Sequence, residues 1–296
     1  MGDESSDLHP PWGAVRAAVR RALAEDLLPL GDLTGSLVPE DATGALVLVA
    51  RQPGVLAGRR CADETLTQVG GCAVVTWRLA EGSAVAQGEP VADLAGSLRG
   101  LLAAERTLLN FVGHLSGVAT ATRRLVDAVH AVNPAVRVLD TRKTTPGLRA
   151  LEKAAVRAGG GHNHRASLSD AVLVKDNHLG ALSITDAVLT ARDRWPGRLV
   201  EVECDRLDQV EEACRAGATA VLLDNMTPEE IARCVALVRA SGEPRPLVEV
   251  SGGVTLHTAA SLAAAGPDCI SSGALTHSAP ALDFGLDLSP AGAARG

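Results

Sequence analysis

The chain has 296 residues, of which 46% are hydrophobic, enough for a sizeable core in two domains or in one barrel with an extension. Its formal net charge is −7, aromatic residues make up 2%, and tyrosine is absent. Such a chain lacks the extended basic face and the stacking rings of a nucleic-acid-binding protein.

The cysteines and the lengths of the apolar runs further restrict the class of protein. No cysteine belongs to a CxxC pair, and most lie in apolar runs, which predicts buried free thiols and no zinc site. The start of the chain is acidic and polar, and no apolar run reaches about 18 residues. We therefore expect a cytoplasmic protein without a membrane span. The cysteines are Cys61, Cys72, Cys204, Cys214, Cys234 and Cys269.

The first part of the chain predicts an α+β domain, because strands and helices occur there without regular alternation. Residues 1–11 are expected to be disordered, and Asp32 and Thr34 are expected to be turn residues. The predicted elements are a helix at 12–28, strands at 45–51 and 55–58, a helix at 60–69, a strand at 73–79, and a β-rich segment to residue 96.

Two helices are predicted next, at 98–112 and 116–132. Leucines 101, 102, 108 and 109 form the apolar face of the first helix. Arg106 lies off that stripe, and its position alone indicates an ordinary exposed arginine.

From Val136 the pattern changes to regular strand–helix units. A polar or glycine residue follows each strand, and in an α/β barrel or an open parallel sheet the carboxyl ends of the strands form the site. Capping signals at Ser183 and Thr227, and glycines 217 and 266, mark the helices between them. The predicted strands are 136–139, 171–174, 199–202, 220–223, 247–250 and 269–271.

One stretch, from Asp140 to Arg165, is strongly basic within this acidic chain. Helical spacing places Arg149, Lys153 and Arg157 on a helix face that we expect to be solvated. The other cations lie beside a strand end or glycine-rich chain, where a small and highly anionic ligand would bind. These are Arg142, Lys143, His164 and Arg165.

Other strand ends add carboxylates and glycine turns to this inventory. Glu203 and Asp224 could hold ribose hydroxyls or Mg²⁺, directly or through water. Ser251-Gly-Gly253 and Ser272-Gly273 could present N–H groups to a phosphate, helped by a helix start near Thr255. Asp176, His178 and Asn225 are expected to be structural. The ligands implied are a phosphorylated sugar with a metal, and a small polyanionic acid.

Long motifs in the chain closely resemble the quinolinate phosphoribosyltransferase family, over about residues 15–288. They are Asp140-Thr-Arg-Lys-Thr-Thr-Pro-Gly-Leu-Arg149, Gly159-Gly-Gly-His-Asn-His-Arg165, Val174-Lys-Asp-Asn-His178, Glu201-Val-Glu203, Leu223-Asp-Asn225, Ser251-Gly-Gly253, Gly273-Ala-Leu-Thr-His-Ser278, Glu105-Arg-Thr-Leu-Leu-Asn110 and Gly31-Asp-Leu-Thr34.

The resemblance implies an α/β protein: an N-terminal α/β sandwich-like domain at 1–116 and an incomplete, open α/β barrel at 117–282. A tail at 283–296 would pack back on the N-terminal domain. The implied reaction joins quinolinate and phosphoribosyl pyrophosphate, with Mg²⁺, to give nicotinate mononucleotide, pyrophosphate and CO₂. The implied assembly is a homodimer with shared active sites, or a hexamer, in which Arg106 enters the partner's site.

The resemblance also implies roles for individual residues. Lys143, Lys175, Glu203 and Asp224 would be catalytic, with Glu203 and Asp224 at the metal. The implied quinolinate-binding residues are Arg106, Thr141, Arg142, Lys143, His164 and Arg165. The implied donor-binding residues are Lys175, Asn177, Glu203, Asp224, Ser251, Gly252, Gly253, Ser272, Gly273 and Ala274. Two departures stand out: Ser272 replaces a common valine, and His162 is expected to alter the local charge near pH 7.

Three other functions fit parts of the pattern. The nearest are a nicotinate phosphoribosyltransferase and a molybdenum-associated paralogue of the same fold. The number of cations favours quinolinate, because two adjacent carboxylates need more than one arginine. A non-catalytic phosphate-binding barrel is the third, and the presence of Lys143, Lys175, Glu203 and Asp224 argues against it.

Overall fold

A computed structural model describes residues 8–71, 73–180 and 182–289. The chain forms two compact units that interleave along the sequence. The first contains residues 1–123, 144–160 and 275–296, and the second contains 124–143 and 161–274. The predicted domains, 1–116, 117–282 and the tail 283–296, are contiguous, and their boundaries stay a prediction.

Helices and strands alternate irregularly before one long helix and more regularly after it. Up to the long helix they are, in chain order, α1 (Trp12–Leu27), β1 (Thr43–Ala50), β2 (Gly54–Val55), α2 (Arg59–Gln68), β3 (Ala73–Trp77), β4 (Ala84–Val85), β5 (Pro90–Ser97) and α3 (Leu98–His130). The rest are β6 (Arg137–Leu139), α4 (Arg149–Ala158), β7 (Val172–Val174), α5 (Asp176–Leu179), α6 (Ile184–Arg194), β8 (Val200–Cys204), α7 (Leu207–Ala216), β9 (Ala220–Asp224), α8 (Pro228–Ala240), β10 (Leu247–Ser251), α9 (Ala259–Ala264), β11 (Cys269–Ser271), α10 (Ala274–His277) and β12 (Phe284–Leu288).

The first unit is built on an antiparallel four-stranded sheet in the order β12-β1-β5-β3. Alternate residues of β1 and β5, such as Leu46, Leu48 and Leu94, join residues of α2 and α3 in one buried cluster. Because successive strand residues point to opposite faces, this alternation fixes the register of the sheet. The last strand, β12, comes from the C-terminal tail and pairs with β1 from Leu46↔Leu288 to Ala50↔Phe284.

The prediction of two helices at 98–112 and 116–132 was wrong, because α3 is one continuous helix of 33 residues. The misleading signal was Gly113 and Gly117. A side chain at Gly117 would come within 2.2 Å of the Pro280 carbonyl oxygen, and Gly113 accepts a hydrogen bond from Leu282 N. These glycines allow the segment at 280–282 to approach the helix closely, so they do not interrupt it.

The second unit is built on a parallel six-stranded sheet in the order β6-β11-β10-β9-β8-β7. All six predicted strands of the regular part are confirmed. The strands β6 and β7 lie at the two edges, so the sheet forms an incomplete, open α/β barrel. The carboxyl ends of these strands therefore lie along one edge of the sheet.

The helix ends in the second unit follow their local chemistry. The Thr227 and Glu230 side chains cap α8 reciprocally, and Ser183 Oγ accepts from Asp186 N at the start of α6. Gly217 ends α7 in the left-handed conformation, with φ of 79°. These capping predictions are confirmed. The helix expected near Thr255 begins only at Ala259, because Thr255 and Thr258 instead bond to each other in a turn.

Three expectations about exposure need correction. Lys153 is buried within α4, and Arg149 and Arg157 are half-buried, so this helix face is not simply solvated. Leu102 is exposed, unlike the other three leucines of its predicted stripe. The predicted disordered segment 1–11 includes residues 1–7, outside the described residues. Its described part is held, because the His9 carbonyl accepts from Arg157 and Pro10 is buried.

The remaining expectations concern thiols and membranes. Four cysteines are buried and Cys214 is partly exposed, whereas Cys72 lies outside the described residues. None of the helices in the described ranges combines the length and the apolar character needed to span a bilayer.

Glu81 gives the first unit a pH-dependent stability. Burial raises the pKa of this carboxyl to about 7, although the backbone N–H groups of Gly58 and Arg59 donate to it and oppose the shift. A folded-state pKa above the unfolded value means that the folded chain binds more protons between about pH 4.5 and pH 7. Stability therefore falls as pH rises through this range.

We expect Glu81→Gln to flatten this part of the stability profile. The measurement is the free energy of unfolding in urea at several pH values from 5 to about 8. Wild type should lose on the order of 1–3 kcal/mol more than the variant over this range. Equal slopes for the two proteins would show that Glu81 is not the titrating group.

Candidate active site

A cavity of about 340 Å³ lies at the carboxyl edge of the parallel sheet, where the sequence predicted a site. It is lined by residues at or just beyond the ends of all six strands of this sheet and by the segment at 164–165. The cavity brings together nine of the predicted site residues. They are Thr141, Arg142, Lys143, His164, Arg165, Lys175, Glu203, Asp224 and Ser251.

The carboxylates at the cavity lie on neighbouring strands. Glu203 belongs to β8 and forms an ion pair with Lys175, the first residue after β7. Asp224 ends β9 and accepts a hydrogen bond of 2.8 Å from Asn225 Nδ2. Both acids are only partly exposed, and each has a second carboxylate oxygen. Hard oxygen donors of this kind suit Mg²⁺ or the hydroxyl groups of a sugar.

The cationic side of the cavity contains two close arginines. Burial lowers the pKa of Arg165, and the positive charge of Arg142 lowers it further. Arginine side chains carry a positive charge in proteins. Their mutual repulsion would be relieved by an anion between them, which is what a carboxylate-binding site requires.

The segment carrying Arg165 is fixed to the end of β6. Asp140, which is fully buried, accepts from His164 N at 2.8 Å and from Asn163 Nδ2 at 2.6 Å. The backbone of His162 also bonds to Val138 and Asp140, so this residue extends the edge of the sheet. The Asp140 carboxylate therefore orders the segment without lining the cavity.

His162 does not add the charge that the sequence suggested. Burial lowers the pKa of its imidazole, and the positive charges of Arg137 and His130 lower it further. The ring is therefore largely neutral at pH 7.

His164 lies against two buried glutamates. Its Nε2 atom is 3.0 Å from Glu201 Oε2 and 3.3 Å from Glu249 Oε2, and the two acids are 6% and 4% exposed. Burial alone would lower the pKa of His164, but hydrogen bonds and charge from both glutamates raise it to about 10. Burial, reinforced by Glu249, also raises the pKa of Glu201.

The other ring nitrogen of His164 decides where the protons lie. Arg165 N donates to Nδ1 at 2.7 Å, which requires an unprotonated Nδ1. A fully charged ring would place a proton at Nδ1 and break this contact. Nε2 therefore carries the ring proton, and the raised pKa belongs to the cluster of His164 with its two carboxylates rather than to the ring alone.

The same three side chains are close enough to surround a metal ion. A histidine bound to a metal through one nitrogen donates a hydrogen bond from the other. Nδ1 of His164 accepts instead, so the cluster fits a shared proton better than a metal.

The glycine turn after β10 lies close to Asn225, the first residue after β9. A side chain at Gly252 would come within 2.2 Å of Asn225 Oδ1, and Gly252 and Gly253 have φ angles of 85° and 61°. Asn225 has a φ of 55° and donates its N–H to Ser251 O. Asn225 therefore has the structural role that was expected of it.

Not every predicted donor-binding residue is available for a ligand. The N–H of Ser272 donates to Leu139 O at 3.0 Å and continues the β11–β6 ladder, so it cannot also bind a phosphate. Ser272, Gly273, Ala274, Gly252, Gly253 and Asn177 do not line the cavity. Asn177 is exposed on the short helix α5.

Arg106 belongs to the other unit, where it is exposed and forms no ion pair with Glu105 or Asp127 among the described residues.

Glu201 and Glu249 were not among the predicted site residues. Each precedes a predicted site residue by two positions, Glu203 and Ser251 respectively, and strand residues two apart point to the same face. This alternation was the signal that could have identified them. Buried Ser271 also lines the cavity.

A second cavity, of about 460 Å³, lies toward the amino ends of the same strands and shares His164, Arg165 and Glu249 with the first. Its rim contains Leu199 and Leu247. Lys143, Lys175, Glu203 and Asp224 are absent from its described lining, so the first cavity is the candidate site.

The chain matches known proteins over nearly its whole length. Two family profiles fit it: the quinolinate phosphoribosyl transferase N-terminal domain over residues 32–116 and the C-terminal domain over residues 118–287. A nicotinate-nucleotide pyrophosphorylase (carboxylating) from Mycobacterium leprae is 43% identical over 281 residues, covering 94% of this chain and 98% of the relative. The protein of that name from Rattus norvegicus is 43% identical over 290 residues, covering 97% and 95%.

Solved structures agree with the sequence relatives. The nicotinate-nucleotide pyrophosphorylase from Francisella tularensis has a TM-score of 0.88 at 37% identity, covering 94% of this chain and 97% of that one. The human nicotinic acid phosphoribosyltransferase has a TM-score of 0.57 at 15% identity, which shows a shared fold alone.

Proposed function

This chain belongs to the quinolinate phosphoribosyltransferase family, and we propose that it transfers a phosphoribosyl group from phosphoribosyl pyrophosphate to quinolinate. The products are nicotinate mononucleotide, pyrophosphate and CO₂, in the biosynthesis of NAD. One observation supports this best: a single cavity combines Arg142, Lys143 and Arg165 with Lys175, Glu203 and Asp224. The first three suit a dicarboxylate, and the others suit a phosphorylated sugar.

The cations position the acid for reaction. We propose that Arg142, Arg165 and Lys143 bind the quinolinate carboxylates, with Thr141 beside them, so that the pyridine nitrogen faces C1′ of the donor. Thr141 Oγ1 accepts from Lys143 N at 2.9 Å, which fixes the turn that carries this lysine. Holding both reactants in one cavity makes their encounter effectively unimolecular.

The two carboxylates and two lysines of the cavity are assigned to the phosphoribosyl donor. We propose that Glu203 and Asp224 hold the ribose hydroxyls and Mg²⁺, directly or through water, while Lys175 and Lys143 face the phosphates. When bound, the ion would neutralise charge on the pyrophosphate group. The turn at Ser251–Gly253 is the remaining candidate for the 5′-phosphate, together with Gly273 and Ala274.

The reaction follows from this placement. As the bond from C1′ to pyrophosphate breaks, the ribosyl centre gains oxocarbenium character, as in glycoside hydrolysis. The pyridine nitrogen attacks C1′ and becomes cationic. Its positive charge then stabilises the electron pair left on C2 when the adjacent carboxylate departs as CO₂, and a proton finally binds C2 in place of the carboxylate. Fixed cations near the leaving group lower the barrier without reorganisation.

We propose a cytoplasmic homodimer with shared sites, in which Arg106 of one subunit completes the cavity of its partner. Hexamers of such dimers are compatible with this arrangement. Arg106 is exposed on α3 and free of ion pairs with Glu105 and Asp127 among the described residues, as a residue that acts across an interface requires.

One experiment tests the reaction directly. Purified protein is mixed with Mg²⁺, phosphoribosyl pyrophosphate and either quinolinate or nicotinate, and the nucleotide and CO₂ are measured. We expect nicotinate mononucleotide and CO₂ from quinolinate only. Turnover of nicotinate without CO₂ would instead identify a nicotinate phosphoribosyltransferase, and no turnover of either acid would favour a binding protein.

We expect Arg165→Ala to weaken quinolinate binding about ten- to a hundredfold. The lost charge-assisted hydrogen bonds are worth about 1.5–3 kcal/mol, which corresponds to that change in Kd. Calorimetric titration with quinolinate measures it. Arg206→Ala, which removes an exposed arginine paired with Asp205 and Asp208, is the control and should leave Kd unchanged. An unchanged Kd in Arg165→Ala would remove this residue from the acid site.

A further inference from the structure

We propose that Glu201 and Glu249 are positioning residues for the acid substrate: together they hold His164 and, through its ring, the segment that presents Arg165. The inference rests on the proposed function, because the acid is taken to be quinolinate. It also changes the role of His164, from a ligand of the substrate to the centre of a supporting network.

Both ring nitrogens of His164 already have partners. Nε2 faces Glu201 and Glu249 at 3.0 and 3.3 Å, and Nδ1 accepts from the backbone of Arg165 at 2.7 Å. An imidazole has only these two polar atoms. A substrate carboxylate could therefore bind His164 only by displacing one of these contacts.

The network around His164 holds the segment of Arg165 from several strands. The Arg165 N–H is fixed by the imidazole, and its guanidinium donates to Ala171 O at 3.0 Å. Asp140 holds the segment at the end of β6, while Glu201 and Glu249 reach it from β8 and β10. Side chains that bind a substrate precisely need such outer support.

Burying Glu201 and Glu249 is expected to lower the stability of the fold. Both are more than nine-tenths buried, and Glu249 Oε1 has no hydrogen-bond partner in the described part of the chain. A buried carboxylate that lacks partners destabilises a fold, and apolar residues of similar size would usually be at least as stable. A role in stability alone would not explain why two carboxylates surround one imidazole. A role in holding that ring from two sides explains it.

The test compares leucine and glutamine variants of both acids. Glutamine keeps an acceptor oxygen for Nε2, but leucine does not. We expect Glu201→Leu and Glu249→Leu to raise the Kd of quinolinate about tenfold or more, while the Kd of phosphoribosyl pyrophosphate changes less than about threefold. Glu249→Gln and Glu201→Gln should restore quinolinate binding to within about threefold of wild type.

A double-mutant cycle separates support from direct binding. If His164 acts through the acids, Glu249→Leu adds little to the loss already caused by His164→Ala. If His164 binds quinolinate by itself, the two losses add, and the proposal is overturned. Equal losses for both substrates in the leucine variants would overturn it as well, because they would indicate general damage to the cavity.

Asp268→Leu is the matched control. This half-buried carboxylate accepts from Arg245 and from Val248 N near the amino end of β10, away from the candidate site. It should lower the melting temperature without changing the Kd of quinolinate. Should one leucine variant fail to fold, the other leucine variant and its double-mutant cycle with His164→Ala decide the matter by the same comparison. Wild type that binds nicotinate but not quinolinate would refute the proposed function instead.

Discussion

Mixing two inactive variants, Arg106→Ala and Lys143→Ala, restores up to about a quarter of wild-type activity if Arg106 acts across a two-fold interface. In a mixed dimer, the intact barrel of one subunit receives Arg106 from the other, so one site is complete and one lacks both groups. Random exchange makes half of the dimers mixed, and each has one working site of two.

Subunit exchange must be measured in the same sample. Native mass measurement of a tagged and an untagged variant gives the fraction of mixed dimers, and activity should rise in proportion to it. A useful control mixes Lys143→Ala with Lys175→Ala: both residues line the same cavity, so each subunit's own cavity is damaged and no complete site can form. Confirmed exchange with no recovery in the first mixture would show that Arg106 does not act across the interface.

Asp224→Ala has the second large expected effect, a fall of about a hundredfold or more in kcat/KM for the phosphoribosyl donor. The magnitude follows from removing one of two carboxylates that organise charge where pyrophosphate departs. Quinolinate binding should change much less, because the cations that we assign to the acid remain. Calorimetry with the donor, with and without Mg²⁺, gives a readout besides turnover.

Asp205→Ala is the control for Asp224→Ala. Asp205 follows β8 directly, is exposed and pairs with Arg206, but it does not line the cavity. It should bind both substrates normally. If Asp224→Ala weakened quinolinate and donor binding equally, the proposed division between the two halves of the cavity would be wrong.

Much of the fold could be read from local patterns. The six parallel strands were predictable because apolar runs alternate with capped helices, as at Thr227 and Ser183, and each strand ends at a polar or glycine residue. The length of α3 was not predictable, because Gly113 resembles a helix end. Its real reason is the approach of residues 280–282, about 170 positions further along the chain, which no local pattern contains.

In the candidate site too, some residues could be predicted from the local sequence, whereas others depend on contacts between distant parts of the chain. Strand ends located Lys175, Glu203 and Asp224, since a strand that ends in a polar residue exposes it at the sheet edge. The contacts of His164 were hidden, because they join residues just after β6 and within β8 and β10 that are far apart in sequence. Similarly, the backbone bond that occupies Ser272 depends on pairing between β11 and β6.

The position of β12 has a consequence for how the protein is made. This strand completes the edge of the first unit's sheet beside β1, yet it follows every strand of the second unit in the sequence. The second unit ends at residue 274, so all of its strands emerge earlier. During translation, one edge of β1 therefore stays unpaired while more than two hundred further residues are added. Nascent chains associate with one another through unpaired strand edges. We expect the newly synthesised protein to depend on chaperones mainly because its N-terminal sheet is completed late.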